Sequence, residues 1–345
     1  MWTRLLHTSL FLIGLLGTAA GIRHLEPLPF WSSSRTKFEF LAQHLGDYDT
    51  VFVGSSRIHR GIVPERFDRR MAELGVPTQS FNLGLAGARP HDFEAMVGWL
   101  VEQRSPQLRR VVIELHAYEQ GSRDGNWLTD FDVEMHQFSF LAGRLHSLAI
   151  DRHDLATKGA NLGFLVAHAA TNLFRIGQGV RIAQATLARW CGAVPPVAQP
   201  LPARGFDPLT PATAPANRVA QYEQWRAAPQ QAEKMLGWKR RPDLPPYLEQ
   251  RRGSFNVAAF RRQNVRLRAA GIEPLYVVMP VYSNSFFGRE VLAELAAEAT
   301  ILVLDDQETC SDIFRFDYWF DSDHLLPEGA ERFSGLLAER IAAVR

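Results

Sequence analysis

The sequence predicts an α/β fold built on a central parallel sheet, and three observations carry that prediction. Short apolar runs at Thr50–Val53, Thr78–Phe81 and Arg110–Leu115 alternate with helical stretches. The same rhythm resumes after residue 255. Each of the first two strands runs into a turn rich in Gly, Ser or Asn, where open α/β sheets place their ligands.

The elements follow in order. From Leu5 to Ile22 the chain carries no formal charge, and as a helix this stretch reaches about 27 Å, close to the thickness of bilayer hydrocarbon. It reads as an uncleaved anchor over residues 1–24, with Arg4 on the cytoplasmic side and the body exported. The competing reading is a signal peptide cleaved near Thr18-Ala19-Ala20. After the first strand, Pro64 opens a helix with Phe67, Met71 and Leu74 on one face. After the second, a helix from about His91 shows a stripe of Phe93, Met96, Val97 and Leu100. The late elements are a helix over Phe255–Ala270 stopped by Gly271, a strand over Pro274–Met279, a helix over Arg289–Ala297 and a strand over Ile301–Leu304. A closing helix opens at Pro327, with Phe333, Leu337, Ile341 and Val344 on one side.

Residues 45–120 and 255–345 thus read as two parts of one α/β domain, split by an insertion over 121–254. Seven prolines fall between 195 and 215, which reads as an extended surface loop. Ala160–Phe174 is uncharged but short and contains Asn161, His168 and Asn172, so it reads as a core or interfacial helix.

Composition narrows the function. Lys+Arg 38 against Asp+Glu 37 lacks the basic excess of nucleic-acid binders. Only four basic residues are lysines, and none follows a glycine-rich loop. Two cysteines, Cys191 and Cys310, are too few for a disulfide scaffold or a thiolate zinc site; one bridge or two free thiols both remain open. The eleven histidines show no metal-ligand spacing, so no metal or cofactor is expected.

Three strand-end turns carry chemistry. Gly54-Ser55-Ser56-Arg57 puts a hydroxyl at the start of a helix, where backbone N–H groups favour an oxyanion. Asn82-x-Gly84-x-x-Gly87 supplies a tight turn that lets backbone approach a reacting atom. In Asp321-Ser322-Asp323-His324, a carboxylate three residues ahead of a histidine reaches Nδ1 and turns Nε2 toward a serine. Asp323 is the rival acid, and helix capping is the plainer role for Ser56. Arg57, His59 and Arg60 form a solvated helix face or bind an anionic saccharide, and Tyr282 lines the cleft or a plain loop.

Together these blocks resemble the SGNH (GDSL-like) hydrolase superfamily, and within it the membrane-anchored envelope branch of alginate-acetylation and teichoic-acid D-alanylation proteins. The resemblance implies a three-layer α/β/α, flavodoxin-like fold. It implies Ser56 as nucleophile, His324 as base and Asp321 as its orienting acid, with oxyanion donors at Ser56 and Gly84. The third block departs: where the family has Gly-x-Asn-Asp, this chain has Glu114-Leu115-His116-Ala117, placing His116 at the asparagine position, where a neutral imidazole N–H would replace the amide as a further oxyanion donor. The implied activity is a serine O-acyltransferase or esterase acting on a surface polysaccharide at the periplasmic face of the inner membrane. A membrane-bound O-acyltransferase is the implied partner. An inactive scaffold on the same fold, binding a glycan or a biosynthesis partner, is the alternative. A third reading, a cytosolic lipase-like esterase, would require the apolar N-terminus to be a mis-assigned start.

Overall fold

A computed structural model describes residues 2–25, 35–115, 130–150, 154–176, 187, 190, 191, 203–239, 254–282, 292, 295–305, 307 and 310–344. The chain divides into two compact units. One, the helical unit, comprises residues 1–39, 120–149 and 153–200; the other, the α/β unit, comprises 40–119, 150–152 and 201–345. The insertion is therefore not one body. Its last part, from 201, belongs with the α/β unit, and the described part of the proline-rich tract packs there, with Leu209 buried and Phe206 against the core.

The α/β unit is built on five parallel strands: β1 (Thr50–Val53), β2 (Ser80–Asn82), β3 (Arg110–Glu114), β4 (Glu273–Val278) and β5 (Thr300–Val303). Their order is β2-β1-β3-β4-β5. Strands β1 and β3 are buried at every position, as their unbroken Val, Ile and Phe runs require in a covered parallel sheet. The chain leaves β1 toward β2 on one side and later returns to β3 on the other. The carboxyl ends of β1 and β3 therefore flank the topological switch point, where such sheets bind ligands.

Helices α3 (Ser56–Gly61), α4 (Pro64–Glu73) and the closing α12 (Pro327–Ala343) pack together. The α12 stripe of Phe333, Leu337 and Ile341 is fully buried, but Val344 lies beyond the helix and is exposed. Pro327 starts α12 with its fixed φ and no N–H to satisfy. The second group, α5 (Pro90–Glu102) and α11 (Ser254–Ala269), is joined by a half-buried ion pair in which Arg262 grips Glu94 with bonds of 2.7 and 3.0 Å. Between β4 and β5, the helix expected over Arg289–Ala297 falls mostly outside the described residues.

Two insertion helices complete this unit, α9 (Ala216–Arg226) and α10 (Pro229–Lys239). Trp225 of α9 packs 5.2 Å from the Tyr282 ring and 5.4 Å from Phe316. The helical unit contains α1 (Trp2–Leu25), α6 (Asp130–Met135), α7 (Leu141–Ile150) and α8 (Leu155–Phe174), while α2 (Arg35–His44) crosses the division. Helix α1 is long and apolar enough to cross a membrane.

Asn82, fully buried at the end of β2, fixes α3 to the sheet. Its amide donates to the carbonyls of Ile58 (2.7 Å) and Ile62 (2.8 Å), and its oxygen accepts the Gly84 N–H at 2.9 Å. Asn82→Ala strips these partners from buried backbone groups and is expected to lower the unfolding free energy by about 2–4 kcal/mol, read by urea denaturation.

Candidate active site

The site begins with the turn after β1. Ser55 caps α3, its Oγ accepting the Arg57 N–H at 3.2 Å. The capping role thus falls to Ser55, and the neighbouring Ser56 hydroxyl is left to meet a histidine. The turn is tight because residue 54 is glycine: a Cβ there would collide with Ile58 and lie 2.7 Å from Glu114 Oε2. That carboxylate, buried at the end of β3, accepts the Ser55 N–H at 2.6 Å.

The histidine comes from the segment before α12. Trp319 and Leu325 pair across a short antiparallel bridge, and the Phe320 N–H donates to the His324 carbonyl at 2.8 Å. Inside this loop Asp321 Oδ1 accepts the N–H groups of Asp323 (2.9 Å) and His324 (3.0 Å), which folds its carboxylate under the imidazole. His324 Nδ1 then lies 2.8 Å from Asp321 Oδ1, and Nε2 lies 2.8 Å from Ser56 Oγ. Serine, imidazole and carboxylate are in line, within the reach that proton transfer requires.

Asp323 is drawn away from the histidine. Its Oδ1 accepts from Arg57 Nη2 at 3.0 Å, and Arg57 also lies 3.7 Å from Glu114. Arg57 is therefore neither a solvated residue nor an open site for a saccharide anion; its charge is spent on two carboxylates. His59 and Arg60 likewise face Asp207, at 3.1 and 3.6 Å. Burial pulls the Arg60 guanidinium below its usual value; Asp207 and Asp321 act against that pull and Arg218 with it.

Other expectations are corrected. Gly84 is not placed to donate to an oxyanion, because its N–H is already given to Asn82. What the glycine provides is closeness, since a Cβ would strike the His59 backbone of α3. The Leu85 and Ala88 amides are also engaged, by the Gly54 and Leu85 carbonyls. Gly87, exposed with φ +81°, and Ala86 carry the remaining N–H groups of this turn. Tyr282 is no cleft residue: it is buried against Trp225, Phe314 and Trp319, its hydroxyl donates to the Phe314 carbonyl at 2.5 Å, and burial pushes its phenol pKa up. His116 lies outside the described residues. Both cysteines are free thiols, Cys191 exposed and Cys310 buried. Among the described residues, no three His, Cys, Asp or Glu side chains converge as a metal site would require.

Two residues at the site were not foreseen. Glu114 had a visible signal, a lone carboxylate inside the apolar run Arg110–Leu115. Arg218 had none. It comes from α9, 103 residues before its partner, and its Nη2 donates to Asp321 Oδ2 at 2.9 Å while lying 3.1 Å from His324 Nδ1. The guanidinium is steadied by Gln221 (2.9 Å) and sits 5.7 Å from the Phe320 ring centre.

Burial pushes the Asp321 carboxyl up, but hydrogen bonds from His324 and Asp323 and the charges of His324 and Arg218 outweigh it and hold its pKa below the usual carboxylate value. A carboxylate depressed in the folded state adds stability above its unfolded pKa of about 3.9, and that stability is lost as pH falls through the lower folded value. The unfolding free energy of the wild type relative to Asp321→Asn is therefore expected to be constant from pH 7 to about 5 and to shrink below about pH 4, measured by urea denaturation across that range.

Comparison with protein-family models, with curated proteins and with solved structures finds no match for this chain, so the site's chemistry is argued from its own geometry.

Proposed function

We propose that the protein is a serine acyl-transfer enzyme, an O-acyltransferase or esterase, in which Ser56 forms the acyl intermediate. The observation that carries this reading is the unbroken line from Ser56 Oγ through His324 to Asp321, both links at 2.8 Å. An inactive scaffold needs no such line, and a buried wall between serine and histidine would have favoured it.

The chemistry follows from the atoms present. Ser56 Oγ attacks the acyl carbon of an ester as His324 Nε2 takes its proton, and Asp321 stabilises the imidazolium. The oxyanion is met by the Ser56 N–H, at the first position of α3 where backbone amides lack helical acceptors. The second donor is assigned to the Ala86–Gly87 turn in place of Gly84. The imidazolium returns its proton to the leaving oxygen as the ester C–O bond breaks, which leaves an acyl-serine. A sugar hydroxyl or water then gives its proton to His324 and attacks the acyl carbon; the bond to Ser56 Oγ breaks, and His324 returns the proton to that oxygen.

The SGNH resemblance supports the finer reading. Right-handed crossovers would place α3 and α4 on one sheet face and α5 and α11 on the other, giving the three-layer arrangement. In that reading α1 anchors the chain in the inner membrane, with the α/β unit in the periplasm. The substrate is an acylated envelope or secreted polysaccharide, and a membrane-bound O-acyltransferase is the partner.

Fluorophosphonate labelling of the full chain tests the core of the reading. Label mapped to Ser56 by mass spectrometry is expected, lost in both Ser56→Ala and His324→Ala, with p-nitrophenyl acetate hydrolysis reduced on the order of 10⁴-fold or more in kcat. Absence of label in the folded wild type would sink it.

Arg218 reaches substrate only through the acid and base it touches, so it is a positioning residue. Arg218→Gln removes a charged hydrogen bond of about 1.5–3 kcal/mol from Asp321. It is expected to lower kcat about 10–100-fold with KM little changed, and to slow labelling of Ser56 without abolishing it.

A further inference from the structure

Helix α8 of the helical unit turns an apolar face outward. Every exposed residue between Leu155 and Phe174 is apolar or glycine: Leu155, Ala156, Gly159, Leu162, Gly163 and Val166. Spacings of three and four put them on one face. The buried face sets polar groups beside Phe164, Leu165 and Ala169. Asn161, His168 and Asn172 point inward; Asn172 donates to the Val133 carbonyl at 2.9 Å, and His168 Nδ1 lies 2.9 Å from the Phe164 carbonyl. The His168 ring sits 4.9 Å from that of His136, also buried, and the nearby buried Arg144 donates to the Met135 carbonyl at 2.6 Å. A helix facing water shows the opposite arrangement. Polar residues turned inward and apolar ones outward mark a helix whose outer solvent is hydrocarbon.

The neighbour of α8 supplies the second, independent observation. Helix α1 is exposed almost all round, and its covered positions Leu15, Ala19 and Ile22 form a single stripe. It packs against α8. That stripe lies inside the apolar span Trp2–Ile22. A helix in contact with this part of a membrane-crossing helix lies at bilayer depth itself.

We infer that α8 is seated in the bilayer beside α1, with its Gly159–Val166 face against lipid acyl chains. The inference rests on the reading of α1 as a membrane anchor. It stops short of a second crossing, because the uncharged stretch from Gly159 to Phe174 gives about 24 Å of helix, less than the roughly 30 Å of hydrocarbon. Lys158 closes the charge-free stretch at one end, its Nζ donating to the Ala149 carbonyl at 3.2 Å, and Arg175 closes it at the other. The helical unit then holds the chain by two contacts with the membrane, one crossing and one lateral, and shields the polar cluster of His136, Arg144, Asn161 and His168 from lipid.

The test uses the full chain with Cys191→Ser, since Cys310 is buried. Single cysteines replace Leu162, Val166, Ile13 in α1, and Ala343 at the exposed end of α12; each carries an environment-sensitive NBD fluorophore in phosphatidylcholine vesicles. At 162 and 166 the emission should be blue-shifted and quenched several-fold more by lipids brominated on the acyl chain than at 343, matching 13. If 13 is quenched while 162 and 166 behave like 343, the inference fails and the anchor reading stands. If 13 is not quenched either, both fail. Shielding at 162 and 166 without quenching, together with 162–162 disulfide cross-linking between copies, would give this face to a second copy and overturn the inference.

Discussion

One buried carboxylate links the loops on which the candidate site depends. Glu114, at the end of β3, accepts the Ser55 N–H and so fixes the turn that presents Ser56. It also faces Arg57, and Arg57 holds Asp323 in the loop that presents His324. The geometry of serine against histidine is thereby tied to the pairing of β1 with β3 in the interior of the sheet. Loops alone would not hold two side chains from residues 56 and 324 at hydrogen-bond distance. A charged chain anchored in a covered strand does so, and its components compensate one another so that no single charge is left alone in the interior.

Much of this was legible in the sequence, for definite physical reasons. Buried parallel strands must be nearly all apolar, so Thr50–Val53 and Arg110–Glu114 stood out. Asp321 and His324 lie three residues apart, and local spacing is what a sequence displays. Strand β2 was expected from Thr78 but starts at Ser80, because Thr78 and the Ser80 N–H both bind the Asp68 carboxylate. What stayed hidden depends on contacts between distant segments. Gly84 looked like an oxyanion donor until the Asn82 side chain was seen to occupy its N–H. Tyr282, read as a cleft residue, is held in the core by Trp225, which a sequence reading had placed in a separate insertion.

The two units also show why the middle of the chain resisted reading. Sequence rules for helices assume polar residues outside and apolar ones inside, and α8 has an apolar outer face with polar groups among its buried residues. Its Asn161, His168 and Asn172 made the stretch look too polar for a membrane and too apolar for a surface. His168 and Asn172 meet backbone carbonyls inside the unit, so the average over the segment hid the difference between its faces. The described stretch from 203 to 239 follows ordinary rules and joins the α/β core.

Arg218 and Trp225 lie seven residues apart on α9, one touching the candidate base and acid and the other filling the aromatic core beneath them. An attempt to trim the chain to a minimal sheet-and-helix core would cut through both. The trimmed protein would expose the ring of Tyr282 to water and leave Asp321 without its cation. Segment 201–239 is thus not a detachable accessory. Gain or loss of this stretch between otherwise similar chains would change stability and chemistry in a single step.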